Sequence, residues 1–489
     1  MVIPVETFTL SETGGTIQTR IKRQIVDGIL TGRFLKGEKM PSSRQLAGHL
    51  GVSRMTVTLA YTDLVADDYL VARGRSGYFV SPTAPAGAPA SPSVQRQSDR
   101  PRFDWTRALG NRPEPPPTVA RPANWRQFPY PFIYGQTDPT LFDSQNWRLC
   151  ALQALRHKDH DALTADQYGQ DDPVLVDVIR RLILPRRGIR AEPDEILITM
   201  GAQNALWIAA QLLLTQRRWA GIESPGYPGI RDVLARTRCN TQPIDVGPEG
   251  LDPDMLPQTL DVLFTTVSHQ CPTNATMPMA RRRALLDRAE AQGFVIVEDD
   301  YEFELTFERS PTPSLKSMDG SGAVIHIGSF SKSLFPGLRL GYLVADAPFV
   351  TEARRLRSTV LRHPPGLVQR TAANFLALGH YDAQIQRLRQ AYHGRRALMT
   401  SAITEAGLIH AGSVSGGGSC FWMRAPETVD TEVLAERLHA RGVVIEPGAA
   451  FFYDADPPRH FYRIAYSSIA PARITKGIKM IAKEIDALR

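Results

Sequence analysis

The chain has 489 residues and a formal net charge of +7, with 43% hydrophobic and 22% charged residues. That balance excludes a wholly disordered chain, and no apolar run approaches the roughly 20 residues needed to span a bilayer. The charge is lopsided: residues 1–130 carry 17 Lys+Arg and 10 Asp+Glu, while the remaining 359 carry 40 of each. Basic surface at one end of a neutral body points to a polyanion-binding module or to a solvated basic tail. The opening MVIPVETFTLSETGG has no basic stretch followed by an apolar one, so no signal peptide is expected. Cys150, Cys239, Cys271 and Cys420 are too dispersed for a metal clip or a disulfide framework. A reducing cytoplasm and no metal are expected.

In chain order, Ile17, Ile21, Ile25 and Ile29 recur every four residues and predict one apolar helical stripe. Ser42 or Ser43 can cap a short helix over RQLAGHL, and Gly51 supplies a turn. Ser53 can cap a second helix, RMTVTLAYTDLVADD, whose apolar face includes Val57, Tyr61 and Leu64. This is helix–turn–helix order, which places a second helix in the major groove. Ser53, Arg54 and Thr56 lie at the start of that helix, where hydroxyls and a guanidinium suit phosphate and base-edge contacts. YLVARGRSGYFV then reads as a hairpin with Arg73 and Arg75 at its tip.

Residues 82–131 hold twelve prolines in fifty positions and read as a semi-rigid linker without regular helix. Phe103-Asp104-Trp105 is the part expected to lie against a folded domain. Beyond it, helical patterns alternate with β-branched runs such as FVIVEDD (294–300) and AVIHIGS (323–329). That alternation predicts an α/β domain with a mostly parallel sheet.

The densest chemistry is SFSKSLFPGLRLGYL (329–343). Lys332 follows a predicted strand, with Ser329, Ser331 and Ser333 around it and Arg339 seven residues on. An amine that forms a Schiff base needs a partly desolvated setting, and a phosphate needs hydroxyls and an arginine. Upstream, FVIVEDD ends in Asp299 with Tyr301 just beyond. An acid there can hold a pyridinium nitrogen, or simply cap a helix.

Two resemblances follow from these stretches. MPSSRQLAGHLGVSRMTVTLAYTDLVADDYLVARGRSGYFV is similar to the winged helix–turn–helix of the GntR family. This implies binding of double-stranded DNA through Arg44, Ser53, Arg54 and Thr56, with a wing at Arg73 and Arg75. Thr58 departs from the basic residue common there. ITMGAQNALW, ESPGYPG, VEDDYEFE, SFSKSLFPGLRLGY and RIAYSS, in that order, resemble a fold-type I aminotransferase that holds pyridoxal 5'-phosphate. The resemblance implies that Lys332 forms the internal aldimine, Asp299 pairs with the pyridine nitrogen, Tyr301 bonds the ring oxygen and Tyr227 stacks on the ring. It places Gly201, Ala202, Gln203, Ser329 and Arg339 around the phosphate, with Tyr168 reaching the phosphate of another subunit. Arg463 would hold a carboxylate. HQCPTNATMP departs from the family's NPTG loop, with Cys271 for its asparagine and Asn274 for its glycine, and Asp171-Asp172 stands where a glycine is usual.

A GntR-like winged helix (1–81), a Pro-rich linker (82–131) and an aminotransferase-like body (132–489) together resemble the MocR/GabR family of bacterial regulators. The resemblance implies a domain-swapped homodimer whose DNA binding answers to an amino compound captured as an external aldimine. PFIYGQTDPTLFD and HQCPTNATMP are similar to the subgroup that regulates ectoine catabolism through diaminobutyrate derivatives. GABA, taurine and D-alanyl ligands belong to the same wider family. Two other readings stay open: an active aminotransferase carrying a DNA tether, and a cofactor-free scaffold used only for dimerisation.

Overall fold

A computed structural model describes residues 2–10, 15–85, 103–110, 122–156, 163–306, 312–413 and 417–489. The chain divides into two units, Met1–Asn111 and Arg112–Arg489.

In the first unit, helices α1 (Ile17–Leu30), α2 (Ser43–Leu50) and α3 (Arg54–Ala66) precede a hairpin of β1 (Leu70–Ala72) and β2 (Tyr78–Val80). The strands are antiparallel, with Leu70 opposite Val80. Ser42 caps α2 in a reciprocal capping box with Gln45. Gly51 then takes φ +65°, the left-handed conformation that lets the chain turn directly into α3. Ile21, Ile25 and Ile29 pack with Val57, Tyr61 and Leu64 in one core, each side chain contributing about 1.5–3 kcal/mol through burial. Tyr61 also donates from its hydroxyl to the Pro41 carbonyl at 3.0 Å, tying α3 to the segment that leads into α2. Ile17, expected on the same stripe, is instead 40% exposed. A four-residue spacing advances about 40° past each full turn, so its first member has rotated off the buried face.

Much of 82–131 lies outside the described residues. Its described parts are more regular than the proline content predicts. A short helix runs over Trp105–Leu109, and Tyr130–Pro131 forms strand β3. The helix sits between proline clusters and starts on an Asp104 cap, whose side chain accepts from the Arg107 N–H. Phe103 and Trp105, expected to lie against a folded domain, are both 68% exposed.

The second unit is built on an eight-stranded mixed sheet. Its strands are β4 (Ile196–Thr199), β5 (Trp219–Ser224), β6 (Asn240–Gly247), β7 (Gly250–Leu251), β8 (Val262–Thr265), β9 (Val295–Asp299), β10 (Val324–Ser329) and β11 (Gly341–Val344). They lie in the order β4-β11-β10-β9-β8-β5-β6-β7. The run from β10 to β6 is parallel, β11 is antiparallel to β10 and β4, and β7 is antiparallel to β6. Central strands covered on both faces read as unbroken apolar runs rather than alternating ones. Helix Ala202–Leu213 packs Ala205, Leu206, Ile208 and Ala209 into the core that covers this sheet.

The C-terminal part adds β12 (Ile409–His410), β13 (Cys420–Arg424), β14 (Val443–Val444), β15 (Glu446–Pro447) and β16 (Phe461–Ala465). β12, β13, β16 and β15 form an antiparallel sheet in that order, while β14 pairs in parallel with β3. In this sheet Glu446 and Trp422 stand opposite Arg463 from either side.

Candidate functional site

Parallel strands β9 and β10 end side by side, with Ile327 opposite Asp299. The chain leaving β10 reaches Lys332 three residues after Ser329, so acid and amine both emerge at the carboxyl edge of the sheet. They line one cavity of about 390 Å³, together with Tyr227, Ala202, Gln203, Tyr301, Ser329, Arg339 and Arg463. Ser331 lines it as well, whereas Ser333 is fully buried and does not.

Asp299 is 8% exposed, and its Oδ1 has no hydrogen-bond partner among the described residues. Burial, with Asp300 and Glu223 nearby, pushes its carboxyl up to about 7, against the pull of Lys332. Tyr301 is pushed well above its ordinary range by burial, so its hydroxyl stays protonated and able to donate.

The opposite wall is a chain of hydrogen bonds. Tyr227 donates from its hydroxyl to Gln203 Oε1 at 2.9 Å, and Gln203 Nε2 donates to the Gly229 carbonyl at 2.8 Å. Glu223, just before this loop, accepts from Thr265 and Thr266 hydroxyls at 2.6 Å each. Gly201 takes φ +81° at the start of the helix, and a Cβ there would meet Arg339 Nη2 at 3.2 Å. The bare α-carbon thus makes room for the guanidinium, which also donates to the Met200 carbonyl at 3.0 Å. A helix N-terminus, a guanidinium and the Ser329 hydroxyl suit a phosphate.

Arg463 is buried. Its Nε donates to Glu446 Oε2 at 2.7 Å, and its Cζ lies 4.5 Å from the Phe451 ring centroid and 4.1 Å from that of Tyr134. Tyr134 in turn donates to Glu302 Oε2 at 3.2 Å, and Glu302 also accepts from Ser419 at 2.5 Å. Sequence reasoning assigned no role to Tyr134, Glu302, Glu446 or Phe451. The available signal was an acid inside the apolar run VVIEPG, because a buried charge requires a partner.

The departures from the family pattern also have local explanations. Cys271 lines the cavity, and burial pushes its thiol up to about 11, so it is neutral near pH 7. Asn274 takes φ +60°, the conformation a glycine would supply, and donates to the Cys420 carbonyl at 2.7 Å. Asp171 pairs with Arg354 and, at 2.6 Å, with Arg357; Asp172 pairs with Arg370 at 2.8 Å. Tyr168 does not line the cavity of its own chain and lies 4.9 Å beneath Arg362 Cζ.

In the first unit, Arg44 and Arg54 are exposed, and Arg54 Nε lies 3.5 Å from Ser43 Oγ. Ser53 caps α3: its Oγ accepts from the Thr56 N–H at 3.1 Å and bonds the Thr56 hydroxyl at 2.9 Å. Thr58 donates its hydroxyl to the Arg54 carbonyl at 2.9 Å. Arg73 is exposed and stacks over Phe79, 4.6 Å from the ring centroid. The Arg75 side chain lies outside the described residues. Met55, which the sequence reading passed over, is 67% exposed at the start of α3.

Residues 17–80 match the bacterial regulatory proteins, gntR family, and residues 140–481 match aminotransferase class I and II. The chain is 58% identical over 486 residues to the HTH-type transcriptional regulator TauR of Rhodobacter capsulatus, covering 99% of this chain and 100% of the relative. It is 28% identical over 464 residues to the probable rhizopine catabolism regulatory protein MocR of Rhizobium meliloti, covering 94% and 92%. The crystal structure of LysN, an α-aminoadipate aminotransferase from Thermus thermophilus complexed with N-(5'-phosphopyridoxyl)-L-leucine, matches with a TM-score of 0.68 at 27% identity. That match covers 75% of this chain and 94% of LysN.

The cavity fits pyridoxal phosphate on its own terms. The unpartnered Asp299 Oδ1 matches a ring N–H, and the Gly201 cradle beside Arg339 matches a phosphate. Among the described residues no helix is long and apolar enough to cross a membrane. The chain belongs to the MocR-type transcriptional regulators, pyridoxal phosphate-dependent proteins that join a gntR-family DNA reader to an aminotransferase class I and II body.

Proposed function

We propose that this regulator senses a primary amine bearing one anionic group and converts its capture into a change in operator binding. One cavity lined by Lys332, Asp299 and Arg463 carries this reading. Lys332 is the amine that bonds the cofactor, and Asp299 holds the ring nitrogen. Tyr301 donates to the ring oxygen, and Tyr227 covers the ring face. Gly201, Ala202, Gln203, Ser329 and Arg339 take the phosphate, with Tyr168 contributed across a homodimer. When bound, the cofactor supplies an aldehyde carbon that condenses reversibly with primary amines.

Arg463 receives the anionic group. Glu446 already offsets much of its charge, which supports a monoanion over a dianion. Diaminobutyrate derivatives supply the required amine and carboxylate and are the proposed effector class. The neutral Cys271 thiol, in place of an asparagine donor, supports sensing over sustained transamination. Arg44, Arg54, Thr56, Arg73 and Arg75 contact the operator, and Ser53 both caps α3 and faces the DNA. Two readers in a homodimer would meet two half-sites, so a change in their separation changes affinity.

The test is an absorbance titration of the purified protein with diaminobutyrate, GABA, taurine and α-amino acids, repeated with 2-oxo acids and with operator DNA. The expected result is a saturable spectral change and altered operator binding without multiple turnover. Rapid multiple turnover would instead support an aminotransferase carrying a DNA-binding domain. No response to any amine would contradict the sensing role.

A further inference from the structure

Tyr134 sets one aromatic ring against two cations. Lys332 Nζ and Arg463 Cζ each lie 4.1 Å from its centroid. The ring is held on two further sides. Its hydroxyl donates to buried Glu302 at 3.2 Å, and Tyr301 stands edge-on at 6.5 Å and 84°. Glu302 is itself fixed by Ser419 at 2.5 Å, just before β13. Tyr134 is only 7% exposed and Lys332 is half-buried, so the ammonium over its face is partly desolvated. A desolvated cation on an aromatic face is held more strongly than one at the surface.

We propose that Tyr134 is a positioning residue that receives the Lys332 ammonium whenever an effector amine has displaced it. The proposal rests on Lys332 being the cofactor-bonded amine, as read above. In the exchange, Lys332 gives up its bond to the cofactor carbon and the arriving ammonium takes that bond over. Two hydrogens pass from the effector nitrogen to Nζ, so atoms and charge balance and nothing is oxidised or reduced. Lys332 thereby changes from a bonded nitrogen into a full ammonium that needs a seat within the cavity. The π-face of Tyr134 offers that seat without introducing a carboxylate that would compete with Asp299 for the ring. Because the same ring flanks Arg463, the amine-exchange and anion-binding ends of the cavity share one rigid wall. Tyr134 therefore stabilises the effector-loaded state over the unloaded one, which is the differential a switch requires.

The experiment uses methylamine as the probe, because it exchanges with Lys332 but has no anionic group for Arg463. Full-length holoprotein is compared as Tyr134→Phe and with mono-, di- and trifluorinated phenylalanine at the same position. These rings are nearly isosteric, but fluorination drains the π-face. The readouts are the methylamine concentration at half-change of the visible absorption and, separately, cofactor affinity. The expected result is a stepwise rise in the methylamine midpoint, reaching about tenfold for the trifluorinated ring, with cofactor affinity rising in step, because the cofactor-free chain seats the same ammonium on that face. A flat series overturns the proposal while leaving the cofactor assignment standing. A parallel loss of cofactor affinity also overturns it, by making Tyr134 a wall of the cofactor site only. If the unsubstituted protein shows no lysine-bonded cofactor absorption, the underlying reading falls and the proposal with it.

Discussion

Arg463 and Glu446 face each other across β16 and β15, joined by a 2.7 Å hydrogen bond from Nε to Oε2, with both side chains buried. This pairing fixes the guanidinium against the Phe451 and Tyr134 rings, with Nη1 3.8 Å from the Cys271 sulfur that lines the cavity. Glu446→Gln leaves a buried cation without its counter-charge and is expected to cost about 3–5 kcal/mol of stability. Thermal unfolding of the cofactor-loaded protein measures it, and an unchanged transition would show that the pair carries no structural charge balance.

Arg463→Ala is expected to weaken effector binding by about 1.5–3 kcal/mol, the range for a hydrogen bond to a charged group. Cofactor absorption should persist, because the proposed phosphate and ring anchors are other residues of the cavity. An effector titration followed by absorbance checks both. A normal midpoint would place the anion site away from β16.

Asp299 gives a pH signature. Its carboxyl stands at about 7 in the folded chain, above the ordinary value of 3.8. The folded cofactor-free state therefore binds more protons than the unfolded state between those values. Its stability should fall as pH rises from about 4 to about 7, by on the order of a few kcal/mol from this group. Asp299→Asn should remove that slope and stabilise the cofactor-free protein near neutral pH, while weakening cofactor binding. Denaturant unfolding at several pH values checks the slope, and an identical pH profile in the variant would contradict it.

The reader predicts a division of labour between adjacent residues. The Ser53 hydroxyl is engaged in capping α3, so Ser53→Ala should cost about 1 kcal/mol of domain stability. Arg54 is exposed, and Arg54→Ala should weaken operator binding by about 1–3 kcal/mol if it reads a base edge. Melting curves and gel shifts at fixed salt separate the two. Unchanged operator affinity in Arg54→Ala would remove α3 from the recognition role.

What could be read from the sequence was what is local in the chain. Capping residues, the Gly51 turn, strands β9 and β10 and the Lys332 segment all lie within short windows. There, residue type and spacing decide the structure. Long-range partners were not legible. Glu446 meets Arg463 through strand register, and Tyr134 reaches Glu302 across 168 positions of sequence. The Ile17 reading failed because periodicity was extended one step beyond the arc that α1 buries. Truncating Ile25, which has no exposed surface, should cost about 2–5 kcal/mol, whereas Ile17→Ser should stay within about 0.5 kcal/mol. Asn274 shows the converse case. The residue differs from the family's glycine, yet its backbone conformation is the one a glycine would adopt, so the departure leaves the loop intact.

The most direct test of the central claim is chemical mapping of the cofactor bond. Borohydride reduction of the purified protein, followed by digestion and mass spectrometry, should place a phosphopyridoxyl group on the peptide containing Lys332. Prior incubation with a saturating amine effector should remove it from that peptide. Label on a different lysine, or none on any peptide of a protein that still answers an effector on DNA, would contradict the account.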